Sequence, residues 1–245
     1  MLVPSSSFYD VVHRNWWIAR KFSLSFHNVV VNPLIVILQS LVSTRATHLL
    51  NLICSLRGPE ESLVGANEAI IANEDSKRDI IIVYSDVDTV WLKDPLPYIQ
   101  AAMMIGDESA PYDLLAAVDD RDYWCVEDYY CTGFLVIAQS SASISFLSHW
   151  EKELIYAPQL NQPVFNTVLR SPGLPKIRHG GLGEVEFPPG RLYFDQWSKE
   201  GGGGELGRRK KAKTVVVHNN YIIGHDAKRK RFEEHGLWIK KNKKQ

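Results

Sequence analysis

The chain alternates between unbroken apolar runs and segments rich in charge, glycine and proline, and the clearest run is Ile80-Ile81-Ile82-Val83-Tyr84. A continuous β-branched run predicts a strand covered on both faces, here 79–84, of the kind found in parallel α/β sheets. "PLPYIQAAMMI" (95–105) reads as the next helix, opened by a proline that has no amide hydrogen to lose. Residues 112–120 and 132–140 predict two further strands, with helices over 141–154 and 161–170. Glycine and proline break 173–194 into short strands and loops. "GGGG" at 201–204 predicts a flexible surface loop with no helix after it. A last strand is expected at 214–220, then a helix within 226–238 that docks through Phe232, Leu237 and Trp238.

The front of the chain supports two readings. From Phe22 to Thr44 there is no Lys, Arg, Asp or Glu, and the basic, tryptophan-bearing "HRNWWIARK" precedes it. That order predicts a membrane anchor over 22–44 with its positive end inside. His27, Asn28, Asn32, Pro33 and Gln39 lower the hydropathy of the stretch. They favour instead a buried strand at Val29–Val31 followed by an apolar helix at Leu34–Val42.

Composition changes this picture little. The 245 residues are 45% hydrophobic, enough for the core of one large α/β domain. Net charge is zero but uneven: residues 1–200 carry 15 Lys/Arg against 24 Asp/Glu, and residues 201–245 carry 13 against 4. No nucleic-acid motif accompanies the basic end, so it reads as solvated charge with one or two cations near an anionic ligand. Cys54, Cys125 and Cys131 have no paired metal spacing. Cys125 and Cys131 are either a disulfide or two free thiols.

The chemistry begins where the 79–84 strand ends, at Asp86 and Asp88. Ligands of α/β sheets sit outside the carboxyl ends of the strands. Two carboxylates there repel each other and cost desolvation, so a divalent cation is their simplest partner. Hard oxygen donors suit Mn²⁺ or Mg²⁺, which bind substrate phosphates. A solvated turn with an Asp cap is the plain alternative for the tripeptide alone. His218 closes another apolar strand and is either a third, neutral ligand or a hydrogen-bonded structural histidine. Lys228, four residues after Gly224, is either a phosphate contact or one more charge in "KRKR".

Five blocks carry a resemblance, in this order: "YSDVDTVWLKDPLPY", "CTGFLVIAQS", "NQPVFNTVL", "FPPGRLYF" and "VVHNNYIIGHDAKRKRFEEHGLW". Spread over about 160 residues, they resemble the nucleotide-diphospho-sugar transferase domain of glycosyltransferase family 77, the α-1,3-xylosyl-, galactosyl- and arabinosyltransferase group. The resemblance implies a GT-A fold, a Rossmann-like mixed sheet flanked by helices. It implies retaining transfer from a UDP-sugar to a glycan or glycoprotein acceptor, with Mn²⁺ or Mg²⁺ as cofactor, in the Golgi or another secretory-pathway membrane. It makes Asp86, Asp88 and His218 the metal ligands, and Asp86, Asp88, Gly224 and Lys228 contacts of the sugar nucleotide. Asp119 or Asp120 would lie near the donor sugar, and Asn161 and Gln162 at the reacting centre. The catalytic region is expected at 79–240, followed by a basic tail at 241–245.

The chain departs from that pattern in three places. Cys131-Thr132-Gly133-Phe134 stands where the family usually has Asn-Thr-Gly-Phe, and Asn161-Gln162 where it usually has Asp-Gln. A neutral Asn161 cannot serve as a carboxylate nucleophile, which favours a front-face route needing only polar stabilisation. Residues 1–78 match no opening block of the GT-A fold, so the N-terminus reads as diverged or incomplete. Two other readings stand beside the transferase. A haloacid-dehalogenase-type phosphohydrolase would use Asp86 as nucleophile and Asp88 as general acid, leaving His218, Gly224 and Lys228 without a task. A non-catalytic sugar-nucleotide or glycan-binding protein would fit Asn161 and the unmatched front.

Overall fold

The structure, a computed structural model, describes residues 17–21, 24–26, 29–31, 34–40, 45–55, 80–104, 111–119, 129–157, 161–172, 176–199 and 204–238. Its centre is a six-stranded mixed sheet. The strands in chain order are β1 (Trp17–Lys21), β2 (Leu24–Phe26), β3 (Val29–Val31), β4 (Leu34–Ser40), β5 (Ile80–Asp86), β6 (Thr89–Trp91), β7 (Leu114–Val118), β8 (Tyr130–Ala138), β9 (His179–Leu182) and β10 (Val216–His218). The main sheet runs β1-β4-β5-β8-β7-β9, while β2 pairs with β3 and β6 with β10 in separate ribbons. β4 is parallel to β5, and β8 is antiparallel to both β5 and β7.

β5 is buried at all seven positions. Its alternate side chains enter two different cores, which is why the sequence shows a solid apolar run instead of alternation. Ile81 and Val83 pack with Leu96, Ile99, Phe134 and Val216 on one face. Ile80, Ile82 and Tyr84 pack with Leu49, Ile53, Trp150 and Phe165 on the other. Helix 96–104 serves the first face, and helices 45–55, 141–156 and 161–170 serve the second.

The helix starting at Ser141 begins where Ser140, in extended conformation, accepts a hydrogen bond from the Ser143 amide at 3.1 Å. One turn of its buried stripe carries Phe146 and Trp150. Trp150 meets the Phe165 ring edge-on with centroids 4.9 Å apart, and its Nε1 donates to the Asn161 carbonyl at 3.2 Å. The indole thus joins helix 141–156 to the first residue of helix 161–170.

The structure corrects several sequence expectations. Leu34–Ser40 is a strand, not the helix expected at Leu34–Val42, and it lies alongside β5 over seven residue pairs. An apolar run without charge fits either element, and pairing with β5 decides it. The anchor expected over 22–44 is not supported: its described residues are strands, and no helix among the described residues is long and apolar enough to cross a membrane. A helix, Glu205–Lys213, does follow the glycine run. Its Gly207 packs so closely that an added Cβ would lie 2.2 Å from the Trp197 carbonyl oxygen. Lys210 and Lys211 lie over the rings of Trp197 and Tyr193, so "RRKKAK" is a docked helix and not a solvated tail. In the last helix, His225–Glu234, Phe232 is buried and Leu237 packs beside it, whereas Trp238 is exposed.

Trp150→Ala should therefore cost about 3–5 kcal/mol of stability, the usual range for deleting a fully buried large aromatic. Trp150→Phe should recover part of that loss while still forfeiting the bond to Asn161. Urea unfolding of the three proteins checks the order; equal midpoints for wild type and Trp150→Ala would contradict it.

Candidate active site

The site is built by a turn and a ribbon at the end of β5. Asp86 is the last residue of β5, and Val87 and Asp88 turn the chain into β6. Thr89 Oγ1 donates to the Asp86 carbonyl at 2.7 Å and fixes that turn. β6 pairs antiparallel with β10, placing His218 opposite Thr89. The Asn219 amide then donates to the Asp88 carbonyl at 3.0 Å. A two-stranded ribbon thus brings His218 across 130 positions of sequence to the acid pair.

Ligand atoms of Asp86, Asp88 and His218 all lie within 4.8 Å of one another. His218 Nε2 is 3.6 Å from Asp86 Oδ2 and 3.3 Å from Asp88 Oδ1. Tyr84 Oη donates to Asp86 Oδ1 at 2.8 Å. The Lys228 ammonium forms an ion pair with Asp88 Oδ2. These groups, with Asn220, Tyr221, Ile222 and Ile223, line a cleft of about 460 Å³. Gly224 precedes the helix that carries Lys228 and has φ 95°, in the left-handed region, with its carbonyl accepting the Lys228 amide.

The electrostatics follow from this packing. Burial works against ionisation of Asp88, but hydrogen bonds and charge from His218 and Lys228 outweigh it and hold the carboxyl far below its ordinary range. Burial likewise disfavours the His218 imidazolium. The Cys131 sulfur and the Asp88 carboxylate, both bonded to the ring, prevail and raise its pKa well above 6.5.

Gly133 shapes the other wall. Between Leu135, opposite Ala116, and Cys131, opposite Ala117, the β7 pairing skips three residues of β8. Such irregularities re-aim backbone beside active sites. Here the skipped segment lies against His218: a Cβ on Gly133 would stand 2.1 Å from ring carbon Cε1 and 2.3 Å from Nδ1. Helix 161–170 holds the segment from the other side. Asn166 exchanges two hydrogen bonds, each 2.8 Å, with the backbone of Tyr130, and Gln162 Oε1 accepts from the Thr132 amide at 3.3 Å.

A second carboxylate lies beside this segment. Asp119 is buried and accepts hydrogen bonds from Gln162 Nε2, Tyr221 Oη and, more weakly, Asn220 Nδ2 at 3.4 Å. Tyr221 has φ 58°, uncommon for a residue with a side chain. The structure therefore brings Asp86, Asp88, His218 and Lys228 together, and joins Asp119 to Gln162. Asn161 is buried at the start of its helix. Asp120 and Cys125 lie outside the described residues, while Cys131 is a free thiol. Tyr84, Cys131, Gly133, Asn220 and Tyr221 were not among the expected site residues. The signal for Tyr84 was its spacing of two from Asp86, which puts both on one strand face.

Gly133→Ala should accordingly displace His218 or distort β8. We expect a loss of about 1–3 kcal/mol, typical of overpacking a filled interior. Urea unfolding measures it, and a wild-type midpoint would contradict the close approach.

Comparison with known proteins finds relatives of this chain. Two Arabidopsis thaliana proteins, described as UDP-D-xylose:L-fucose alpha-1,3-D-xylosyltransferases, are 32% and 33% identical over 181 and 179 residues. Those alignments cover 64% of this chain and 44% and 45% of the relatives, so the chain spans less than half of their length. A UDP-galactose:fucoside alpha-3-galactosyltransferase of Dictyostelium discoideum is 26% identical over 66% of this chain and 26% of its own. Among solved structures, an active-site mutant of LgtC aligns at 14% identity and a TM-score of 0.34, covering 66% of this chain and 63% of that one. A model of the family described as nucleotide-diphospho-sugar transferase matches residues 59–232, well over half of the chain. That match removes the haloacid-dehalogenase-type alternative, and the chain belongs to the nucleotide-diphospho-sugar transferase family.

Proposed function

We propose that this protein is a metal-dependent, retaining glycosyltransferase that moves a sugar from a UDP-sugar to a glycan or glycoprotein acceptor. One observation carries the reading: Asp86, Asp88 and His218 converge within 4.8 Å on a cleft that Lys228 also lines. Xylose, galactose and arabinose are the candidate donor sugars. The relatives named for UDP-xylose and UDP-galactose favour the first two, and their fucose and fucoside acceptors support a fucose-bearing acceptor.

The donor set fits the cation. Two hard carboxylate oxygens and one imidazole nitrogen suit Mn²⁺ or Mg²⁺, with coordination positions left over for phosphate oxygens. Asp86, Asp88 and His218 would hold the ion, which when bound supplies Lewis-acid neutralisation of the diphosphate. Lys228, paired with Asp88 at the cleft wall, is placed to offer its ammonium to the same diphosphate.

Asp119 is the candidate contact of the donor sugar, oriented by Gln162, Asn220 and Tyr221. Asn161 and Gln162 carry no carboxylate, so a front-face route is favoured. The acceptor oxygen forms its bond to the anomeric carbon on the face from which the phosphate oxygen departs. The acceptor proton passes to the leaving phosphate, and configuration is retained. Asn161 and Gln162 supply polar stabilisation only. A secretory-pathway location belongs to the same proposal, supported by the family resemblance alone, and fractionation of cells expressing a tagged chain tests it.

The activity is tested by UDP release from UDP-xylose, UDP-galactose and UDP-arabinose, with Mn²⁺ and a fucoside acceptor. Acceptor-dependent release from one donor is expected; tight donor binding without release would mark a non-catalytic binding protein. UDP should bind more weakly in EDTA, and Asp88→Ala should lose more affinity than Asp86→Ala. Equal UDP affinity with and without Mn²⁺ would end the metal assignment.

Lys228 gives a sharper test. Lys228→Ala should lower kcat more than it raises KM, costing about 2–4 kcal/mol of transition-state stabilisation, the range for one well-placed electrostatic donor. Lys230, exposed and 3.8 Å from Glu234, is the control and should stay near wild type when changed to Ala. Equal turnover by the two variants in the same salt would reduce Lys228 to surface charge.

A further inference from the structure

Cys131 has no part in the reading above, yet its thiol lies against the site. Sγ is 3.2 Å from His218 Nδ1, the ring nitrogen that does not face the acids. The other nitrogen, Nε2, faces Asp86 and Asp88. Cys131 is 3% exposed, so the sulfur occupies the place where water would otherwise solvate Nδ1.

The polarity of that contact is set by the ring tautomer: an Nε2 lone pair kept for a cation puts the hydrogen on Nδ1, facing the sulfur. The Gly133 amide donates to Sγ at 3.5 Å, and Asn220 Nδ2 reaches it at 3.8 Å. Both groups can only donate, so the sulfur faces them as an acceptor. Gly133 also blocks the ring from sliding, since there is no room for even a Cβ between them. The imidazole is thus confined sideways by backbone and met end-on by sulfur.

We propose that Cys131 is a positioning residue: its sulfur accepts the Nδ1–H of His218 and so turns the Nε2 lone pair toward the cation position beside Asp86 and Asp88. Metal-ligating imidazoles are commonly oriented by an acceptor for their second N–H, and loss of that acceptor typically costs 10–100-fold in metal affinity. The 3.2 Å separation is within hydrogen-bonding reach of a sulfur acceptor. The inference rests on the cation reading of the proposed function.

The test is Mn²⁺ calorimetry on the full chain, comparing wild type, Cys131→Val, Cys131→Ser, His218→Ala and the double variant Cys131→Val/His218→Ala. Cys131→Val replaces the acceptor with an apolar side chain about one methyl group bulkier, and Mn²⁺ should bind about 10–100-fold more weakly. Cys131→Ser keeps a polar acceptor and should hold the affinity within about threefold of wild type. In the His218→Ala background, Cys131→Val should change Mn²⁺ affinity by less than about twofold, because its effect passes through the imidazole. Wild-type affinity in Cys131→Val would overturn the proposal. So would an equally weak Cys131→Ser, or a loss of the same size when His218 is absent. Absence of Mn²⁺ binding by the wild type would instead fail the cation reading, and this proposal with it.

Discussion

Two carboxylates at the end of a strand buried on both faces are unstable neighbours unless positive charge meets them. Much of the architecture around the cleft follows from that constraint. The β6–β10 ribbon delivers His218, and the helix after Gly224 delivers Lys228, each onto Asp88. The depressed pKa of Asp88 and the raised pKa of His218 share the contact between them, to which Lys228 adds on the aspartate side and the Cys131 sulfur on the histidine side. In this structure His218 and Lys228 supply the compensation. A divalent ion with a diphosphate would supply it differently, releasing Lys228 for the substrate.

The second constraint is steric. His218 can reach the acids only because β8 departs from β7 at Thr132–Phe134 and carries no side chain at Gly133. Asn166 and Gln162 hold that departure in place from helix 161–170, and Trp150 and Phe165 hold the helix. A continuous chain of packing therefore runs from the deep aromatic core to the imidazole. Fold stability and site geometry are coupled through the same few residues.

What was legible in the sequence follows the same physics. β5, β8 and helix 161–170 were expected within a few residues of where they lie, because burial on both faces or a helical period of apolar positions leaves a direct mark. The acid pair, His218 and Lys228 were legible because each ends an apolar strand or sits at a fixed spacing from one. β4 was not, because an uncharged apolar run fits strand and helix alike until its pairing with β5 is known. The π-helix Arg191–Gln196 and the helix Glu205–Lys213 were missed where glycine and charge imitate loop composition, though Gly207 is there for close contact with Trp197. Cys131, Asn220 and Tyr221 left no local signal, since their partners are 87–102 residues away.

The central claim is that the cluster of Asp86, Asp88 and His218 holds a cation for a nucleoside diphosphate. A crystal structure of the protein with Mn²⁺ and UDP, with anomalous data for manganese, tests it most directly. The account predicts an anomalous peak within bonding distance of Asp86, Asp88, His218 Nε2 and diphosphate oxygens, with Lys228 Nζ on a phosphate oxygen. UDP seated in the cleft with no manganese at these side chains, and Lys228 still on Asp88, would contradict it.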